Sequence, residues 1–280
     1  MIKTICICGA GTMGSGIAQV CAQAGFETVL YDVNDDMVMK AAHKLQQDLE
    51  TLAAKNKITN TQKDETLGRL RYTSSADDCV ADVIIEAIVE KAEVKTALFN
   101  QLAAINSSAT IFATNTSSLS VSAIAEQVDH PERVVGMHFF NPAPVMKLVE
   151  VVRAAQTSAA VADKIYELAR QMGKTPVLCK DAPGFIVNHV ARPYYLEALK
   201  LVEKGITDYE TIDKMMEASG FKMGPFKLMD LIGNDVNYAV SCSVYEAMNK
   251  PHRLQPSPIQ KERVDKGELG RKTGKGYYNY

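Results

Sequence analysis

A histidine and a glutamate set in neighbouring apolar runs carry the most chemistry in this sequence. His138 ends the run Val134–Phe139, inside His138-Phe139-Phe140-Asn141-Pro142, and Glu150 interrupts the run Leu148–Val152. A carboxylate in an apolar strand is costly unless it is paired, and an imidazole is its natural partner. Histidine, with an ordinary pKa of about 6.5, suits proton exchange near neutrality. The carboxylate would orient the ring and stabilise the imidazolium. Ser117, in Asn115-Thr116-Ser117-Ser118, and Asn188, beyond Pro183-Gly184, offer donors for an oxygen whose charge changes during reaction. This set suits removal of a hydride from an alcohol carbon, which needs a base for the hydroxyl proton. Taken alone, His138 reads equally as that base or as a structural histidine. Ser117 also suits a helix cap, and Glu150 could face water. His43, His130, His189 and His252 read as structural or exposed.

A hydride needs an acceptor. Gly9-Ala10-Gly11-Thr12-Met13-Gly14 fits G-x-G-x-x-G between a strand and a helix, the context that gives the pattern its meaning. Gly9 allows the tight turn, Gly11 lets backbone approach a pyrophosphate, and Gly14 lets helix and strand pack closely. The helix N-terminus, with Thr12 and Met13 in its first turn, offers free N–H groups to phosphate. Asp32 ends the next strand, where a carboxylate accepts from ribose hydroxyls and repels a 2′-phosphate. The expected cofactor is NAD, in preference to NADP.

These residues need a scaffold. Apolar runs Ile2–Cys8, Thr28–Tyr31, Val83–Ala87, Ile111–Thr114, Val134–Phe139, Leu148–Val152 and Val177–Cys179 read as strands, most followed by helical periodicity. Alternating βα units predict a parallel sheet covered on both faces. Ser117 and His138 fall at strand C-termini, where such sheets bind ligands. Residues 35–71 interrupt the alternation as a helical excursion with balanced charge. After Pro183 the strand signals stop, and residues 184–203, 207–219, 226–248 and 256–266 read as helices. The fold class is α/β: a Rossmann-type dinucleotide-binding domain over 1–182, then an all-helical domain over 183–280. The glycine- and lysine-rich Gly270–Gly276 follows no strand, so it reads as a tail packing back on the protein and not as a phosphate loop.

Composition removes other classes. Over 280 residues, 46% hydrophobic and 23% charged residues are ordinary globular values. A net charge of −2 argues against a nucleic-acid partner. No apolar stretch is long enough for a membrane span. No leader-like order precedes the first strand, so the mature chain is expected to start there. The six cysteines form no C-x-x-C pair and read as reduced core thiols. No metal is expected, and the compartment is expected to be reducing and cytoplasmic.

Several segments together resemble the short-chain L-3-hydroxyacyl-CoA dehydrogenase family, of the 3-hydroxybutyryl-CoA dehydrogenase type. They are GAGTMGSGIAQ at 9–19, IIEAIVE at 84–90, ATNTSSLS at 113–120, GMHFFNPAPVMKLVEV at 136–151, KDAPGFIVN at 180–188, MGPF at 223–226 and LGRKTGKGYYNY at 269–280. The resemblance covers nearly the whole chain. It implies that His138 and Glu150 form the catalytic pair, with Ser117, Asn141 and Asn188 among the substrate contacts. Glu90, Lys95 and Asn115 fall where the family contacts the cofactor, and Asp32 where it holds the adenosine ribose. The excursion at 35–71 is where the CoA end would lie, with Lys55 and Lys57 as candidate cations. Glu50, Ala53 and Ala54 depart from the more lysine-rich pattern of relatives. The resemblance further implies an acyl-CoA substrate and a homodimer built through the helical domain. Two other readings stand beside it: a dehydrogenase of a free 3-hydroxy acid, and a non-enzymatic NAD-binding scaffold. The pair His138 and Glu150 favours the thioester over the free acid, since free-acid relatives usually rely on a lysine in the helical domain.

Overall fold

Continuous apolar runs become strands buried on both faces, and they dominate the first half of the chain. The computed structural model describes residues 1–280, in two units, Met1–Asp181 and Ala182–Tyr280.

The first unit holds one sheet of eight strands, β1 (Thr4–Cys8), β2 (Glu27–Tyr31), β3 (Leu70–Thr73), β4 (Val83–Glu86), β5 (Ile111–Thr114), β6 (Val134–Phe139), β7 (Leu148–Arg153) and β8 (Thr175–Lys180), ordered β3-β2-β1-β4-β5-β6-β7-β8. The first six in chain order run parallel in the doubly wound order that puts a crevice between β1 and β4. Helices α1 (Thr12–Gln23), α4 (Ala92–Ala103), α5 (Val121–Ala125) and α6 (Ala159–Gln171) belong to the crossovers and connections. Ile5, Ile7, Leu30, Val83, Ile85 and Met137 pack with Ile17 and Ile165 in one core.

Two features correct the expectation of an all-parallel sheet with a purely helical excursion. β7 runs antiparallel to β6, because no helix separates them. The short loop 140–147 reverses the chain, as only antiparallel neighbours permit. The excursion consists of α2 (Asp35–Ala54) and α3 (Asn60–Gly68), and it ends by supplying the edge strand β3. Asn34 caps α2 through its side chain and Asp35 and Asp36 sit in the first turn. Thr59 and Gln62 form a capping box on α3. Val38, Ala41, Leu45 and Leu49 recur at helical spacing on the buried face of α2.

The second unit contains α7 (Val187–Glu203), α8 (Tyr209–Ala218), α9 (Pro225–Ile232), α10 (Asn234–Ala247) and α11 (Pro258–Asp265). Its core gathers Tyr195, Leu196, Leu199, Phe226, Met229, Val244 and Tyr277. The single helix expected over 226–248 is two helices, broken at Gly233, whose φ of +105° no helix can contain. The helix expected from 184 starts later, since Gly184 and Phe185 adopt φ of +72° and +49°. The tail does pack back. The Asp230 carboxylate accepts from the Tyr277 and Tyr278 amides at 2.9 and 3.0 Å.

Candidate functional site

The C-terminal edge of the sheet is assembled by backbone geometry before any side chain acts. Gly9, with φ +107°, turns so tightly that a Cβ would lie 2.6 Å from the Ala87 carbonyl oxygen. A Cβ on Gly14 would lie 1.7 Å from the Gly9 carbonyl oxygen. Those two glycines are demanded by the fold. Gly11 is not: its φ is −71°, and a Cβ there would meet nothing within 4 Å. The open space over Gly11 at the start of α1 fits a ligand whose phosphates approach backbone N–H groups. Asp32, just beyond β2, braces the same turn, its carboxylate accepting from the Ala10 amide at 2.8 Å and from Asn34 at 3.1 Å. A cavity of about 600 Å³ opens here, lined by Gly9, Gly11, Asp32, Ile88, Val94 and Leu98 among others. Its apolar walls and single carboxylate suit an adenosine, so the residues present fit a bound dinucleotide.

Next along the edge is a buried charge network. Glu86, wholly buried at the end of β4, receives Lys95 Nζ at 2.6 Å, the Thr114 hydroxyl at 2.7 Å and the Ile88 amide at 2.8 Å. Lys95 also reaches Glu90 at 3.1 Å. Glu90 in turn accepts from the Thr116 hydroxyl at 2.5 Å, the Ser117 amide at 3.0 Å and the Ser118 hydroxyl at 3.2 Å. Burial pushes the Glu86 carboxyl above its usual value, against the pull of Lys95. For Glu90 burial acts in the same direction, but Lys95 and the loop's donors outweigh it and hold the carboxyl below its usual value. Sequence reading offered Glu90 and Lys95 as cofactor contacts. The structure buries Lys95 between two glutamates, where it shapes the loop bearing Asn115 and Ser117. Glu86 was missed, although a carboxylate closing the apolar run Val83–Glu86 is the same signal that singled out Glu150.

The reversal between β6 and β7 has a chemical result. Antiparallel register sets His138 directly opposite Glu150, and their side chains meet, Nδ1 to Oε2, at 2.7 Å. Glu150 is wholly buried and His138 only 5% exposed. The Asn115 side-chain oxygen accepts from the Phe139 amide at 2.8 Å, tying the β5 loop to the end of β6 beside His138. Ser117 is half-buried in that loop, and Thr12 and Met13 lie in the first turn of α1. Asn141 is exposed at the start of the loop leaving β6. Lys55 and Lys57 are exposed at the far end of α2. Asn188, half-buried in the first turn of α7 in the second unit, accepts from Arg192 Nε at 3.0 Å through its backbone carbonyl.

A doubly wound sheet with a glycine turn, an acidic residue closing the second strand and a paired histidine at the same edge defines a nicotinamide-dinucleotide oxidoreductase by its fold and site. Comparison with known proteins narrows this. Residues 4–182 match the 3-hydroxyacyl-CoA dehydrogenase NAD-binding domain, and residues 184–280 match the C-terminal domain of the same family. The chain belongs to the 3-hydroxyacyl-CoA dehydrogenase family, and its first unit is that family's NAD-binding domain. It is 46% identical to the 3-hydroxyadipyl-CoA dehydrogenase of Escherichia coli over its full length, while spanning 59% of that relative. It is 40% identical to a probable 3-hydroxybutyryl-CoA dehydrogenase of Bacillus subtilis, covering all of this chain and 98% of the other. The crystal structure of (S)-3-hydroxybutyryl-CoA dehydrogenase from Ralstonia eutropha superposes with a TM-score of 0.94 at 38% identity, over 100% of this chain and 99% of that one.

Proposed function

We propose that this protein interconverts (S)-3-hydroxyacyl-CoA and 3-oxoacyl-CoA with NAD, and that 3-hydroxybutyryl-CoA and acetoacetyl-CoA are its substrate pair. The observation that carries the reading is the buried His138–Glu150 contact at 2.7 Å, at the same sheet edge as the dinucleotide turn. Bound NAD supplies the hydride acceptor. Glu150 holds Nδ1 as the protonated nitrogen, so Nε2 takes the substrate hydroxyl proton as the C–H bond breaks. In the reverse direction Nε2 returns that proton to the oxygen. The charge that develops on the imidazolium is offset by Glu150 without movement, which is where preorganisation lowers the barrier. In this reading Ser117, on a loop tied down by Glu90, donates to the substrate oxygen. Asn141 and Asn188 are further substrate contacts, and Lys55 and Lys57 take the CoA phosphates.

The second unit exposes the large apolar side chains Val190, Met215, Phe221, Leu231 and Val236, and we assign a homodimer to this unit, as the family resemblance implies. No helix is long and apolar enough to cross a membrane. The free thiols fit the cytoplasm.

The test follows NADH consumption with acetoacetyl-CoA and, separately, with free acetoacetate. Turnover of the thioester is expected; turnover of the free acid alone would overturn the reading. The Escherichia coli relative's name points to an acyl group carrying a second carboxylate. Comparing kcat/KM for acetoacetyl-CoA and 3-oxoadipyl-CoA decides between the two acyl groups.

A further inference from the structure

Half of the cysteines of this chain converge in one place. Cys6 and Cys8, two apart on β1, share one face of the strand, opposite Ile5 and Ile7, which pack into the core described above. Cys79 follows the 3-10 turn Ala76–Asp78 and comes to the same face from a distant part of the sequence. The three Sγ atoms lie within 4.8 Å of one another, Cys6 and Cys8 at 4.0 Å. All three are wholly buried. The Cys79 thiol otherwise reaches only the Ser75 carbonyl, at 3.8 Å. The facing thiols pull Cys79 towards its thiolate, and Cys6 and Cys8 rise above their usual values in turn.

We propose that Cys6, Cys8 and Cys79 form a three-sulfur binding site for a soft monovalent metal ion, of which Cu(I) is the type. Donor chemistry selects the ion: thiolates take soft ions, while magnesium and calcium take oxygen. Geometry selects the coordination number. Metal–sulfur bonds of about 2.3 Å in a trigonal plane put the sulfurs about 4 Å apart, close to the spacing already present. A structural zinc takes four protein ligands, and no fourth His, Cys, Asp or Glu joins this group. Each coordinated thiol releases its proton to solvent on binding. Arg71 is the cation facing the group, while Asp77 and Asp78 flank Cys79 and Tyr31 lies alongside. The site lies near the surface at one end: Asp77, Asp78 and Val80, the sequence neighbours of Cys79, are exposed. Cysteine spacing could not show this site, because its third ligand is far away in sequence and arrives through the turn between β3 and β4.

The test titrates the full-length, reduced protein anaerobically with a Cu(I)–acetonitrile complex against a chromogenic Cu(I) chelator. One equivalent per chain should be withdrawn from the chelator, and X-ray absorption of the loaded protein should show a shell of three sulfurs. Cys79→Ala should weaken binding by at least about 10–100-fold, the range that losing even an outer-shell partner costs. Cys242→Ala should leave it unchanged. Failure to compete with the chelator, a shell not made of three sulfurs, or equal affinity in Cys79→Ala would each overturn the site and return these residues to plain core packing. If Cys79→Ala misfolds by circular dichroism, the sulfur shell and stoichiometry of the unaltered protein decide.

Discussion

Glu86 and Glu150 are the same residue type in the same setting, and they meet different partners. Each is wholly buried in a strand of one sheet, and each meets a basic partner at close range, 2.6 Å to Lys95 for one and 2.7 Å to His138 for the other. The partner decides the role. The Glu86–Lys95 contact is buried on both sides, with no face left to a substrate. Its surplus hydrogen bonds run outward to Ile88, Thr114 and, through Lys95, to Glu90 and the Ser117 loop. Under the proposed function, the imidazole of the Glu150–His138 contact is the group that exchanges a proton with substrate. On that proposal one glutamate holds the site still, and the other lets a proton move.

That contrast can be broken at either end. The larger effect is expected at the scaffold. Lys95→Met strands the Glu86 carboxylate in the core, and removing one partner of a buried pair costs about 3–5 kcal/mol. Denaturant unfolding should show that loss, and adding Glu86→Gln should recover part of it. A cost below about 1 kcal/mol, the value of an exposed pair, would mean that Glu86 has other support and that the network is not the frame of the loop. At the His138–Glu150 pair the order reverses. His138→Gln keeps a hydrogen-bonding group against Glu150, so stability should change less than in Lys95→Met. Turnover should fall by at least about 10²-fold, the low end for general acid–base catalysis. NADH affinity, read by fluorescence, should hold. Unchanged turnover with stability lost would make both pairs scaffolds and remove the contrast.

The two pairs also differ in how far the sequence revealed them. His138 and Glu150 stood out because a charge inside an apolar run demands an explanation, and so did the glycine turn and Asp32. Their contact did not follow from the expected parallel sheet, in which neighbouring strands would not have set residue 138 opposite 150. The reversal lies in Phe140–Lys147, whose prolines mark a turn without stating its direction. Glu86 carried the same signal as Glu150 but sits at a strand end, where a carboxylate passes for a solvated one. Strand β3, Leu70-Arg71-Tyr72-Thr73, is short and half polar, so only pairing with β2 defines it. Gly233 splits α9 from α10 because of its backbone angle, which an apolar periodicity running through it conceals. What stayed hidden was therefore pairing direction and local backbone angle, both set by tertiary contact.

The smallest effect, at Asp32, needs the most care to read. Its carboxylate has two tasks at this edge: it accepts from the Ala10 amide at 2.8 Å, and under the proposed function it accepts from the adenosine ribose. Asp32→Ala removes both. Loss of the Ala10 bond loosens the glycine turn and should weaken NAD and NADP alike. Loss of the ribose bonds should weaken NAD alone, by about 1.5–3 kcal/mol for hydrogen bonds to a charged group, while NADP is relieved of a repulsive neighbour. The informative quantity is thus the ratio of the two dissociation constants, in which the common loosening cancels. A narrowed ratio, measured by titration calorimetry on the same protein batch, assigns Asp32 to the ribose. Equal losses for both cofactors would instead make it a structural brace like Glu86, leaving the preference for NAD to come from elsewhere in the cavity.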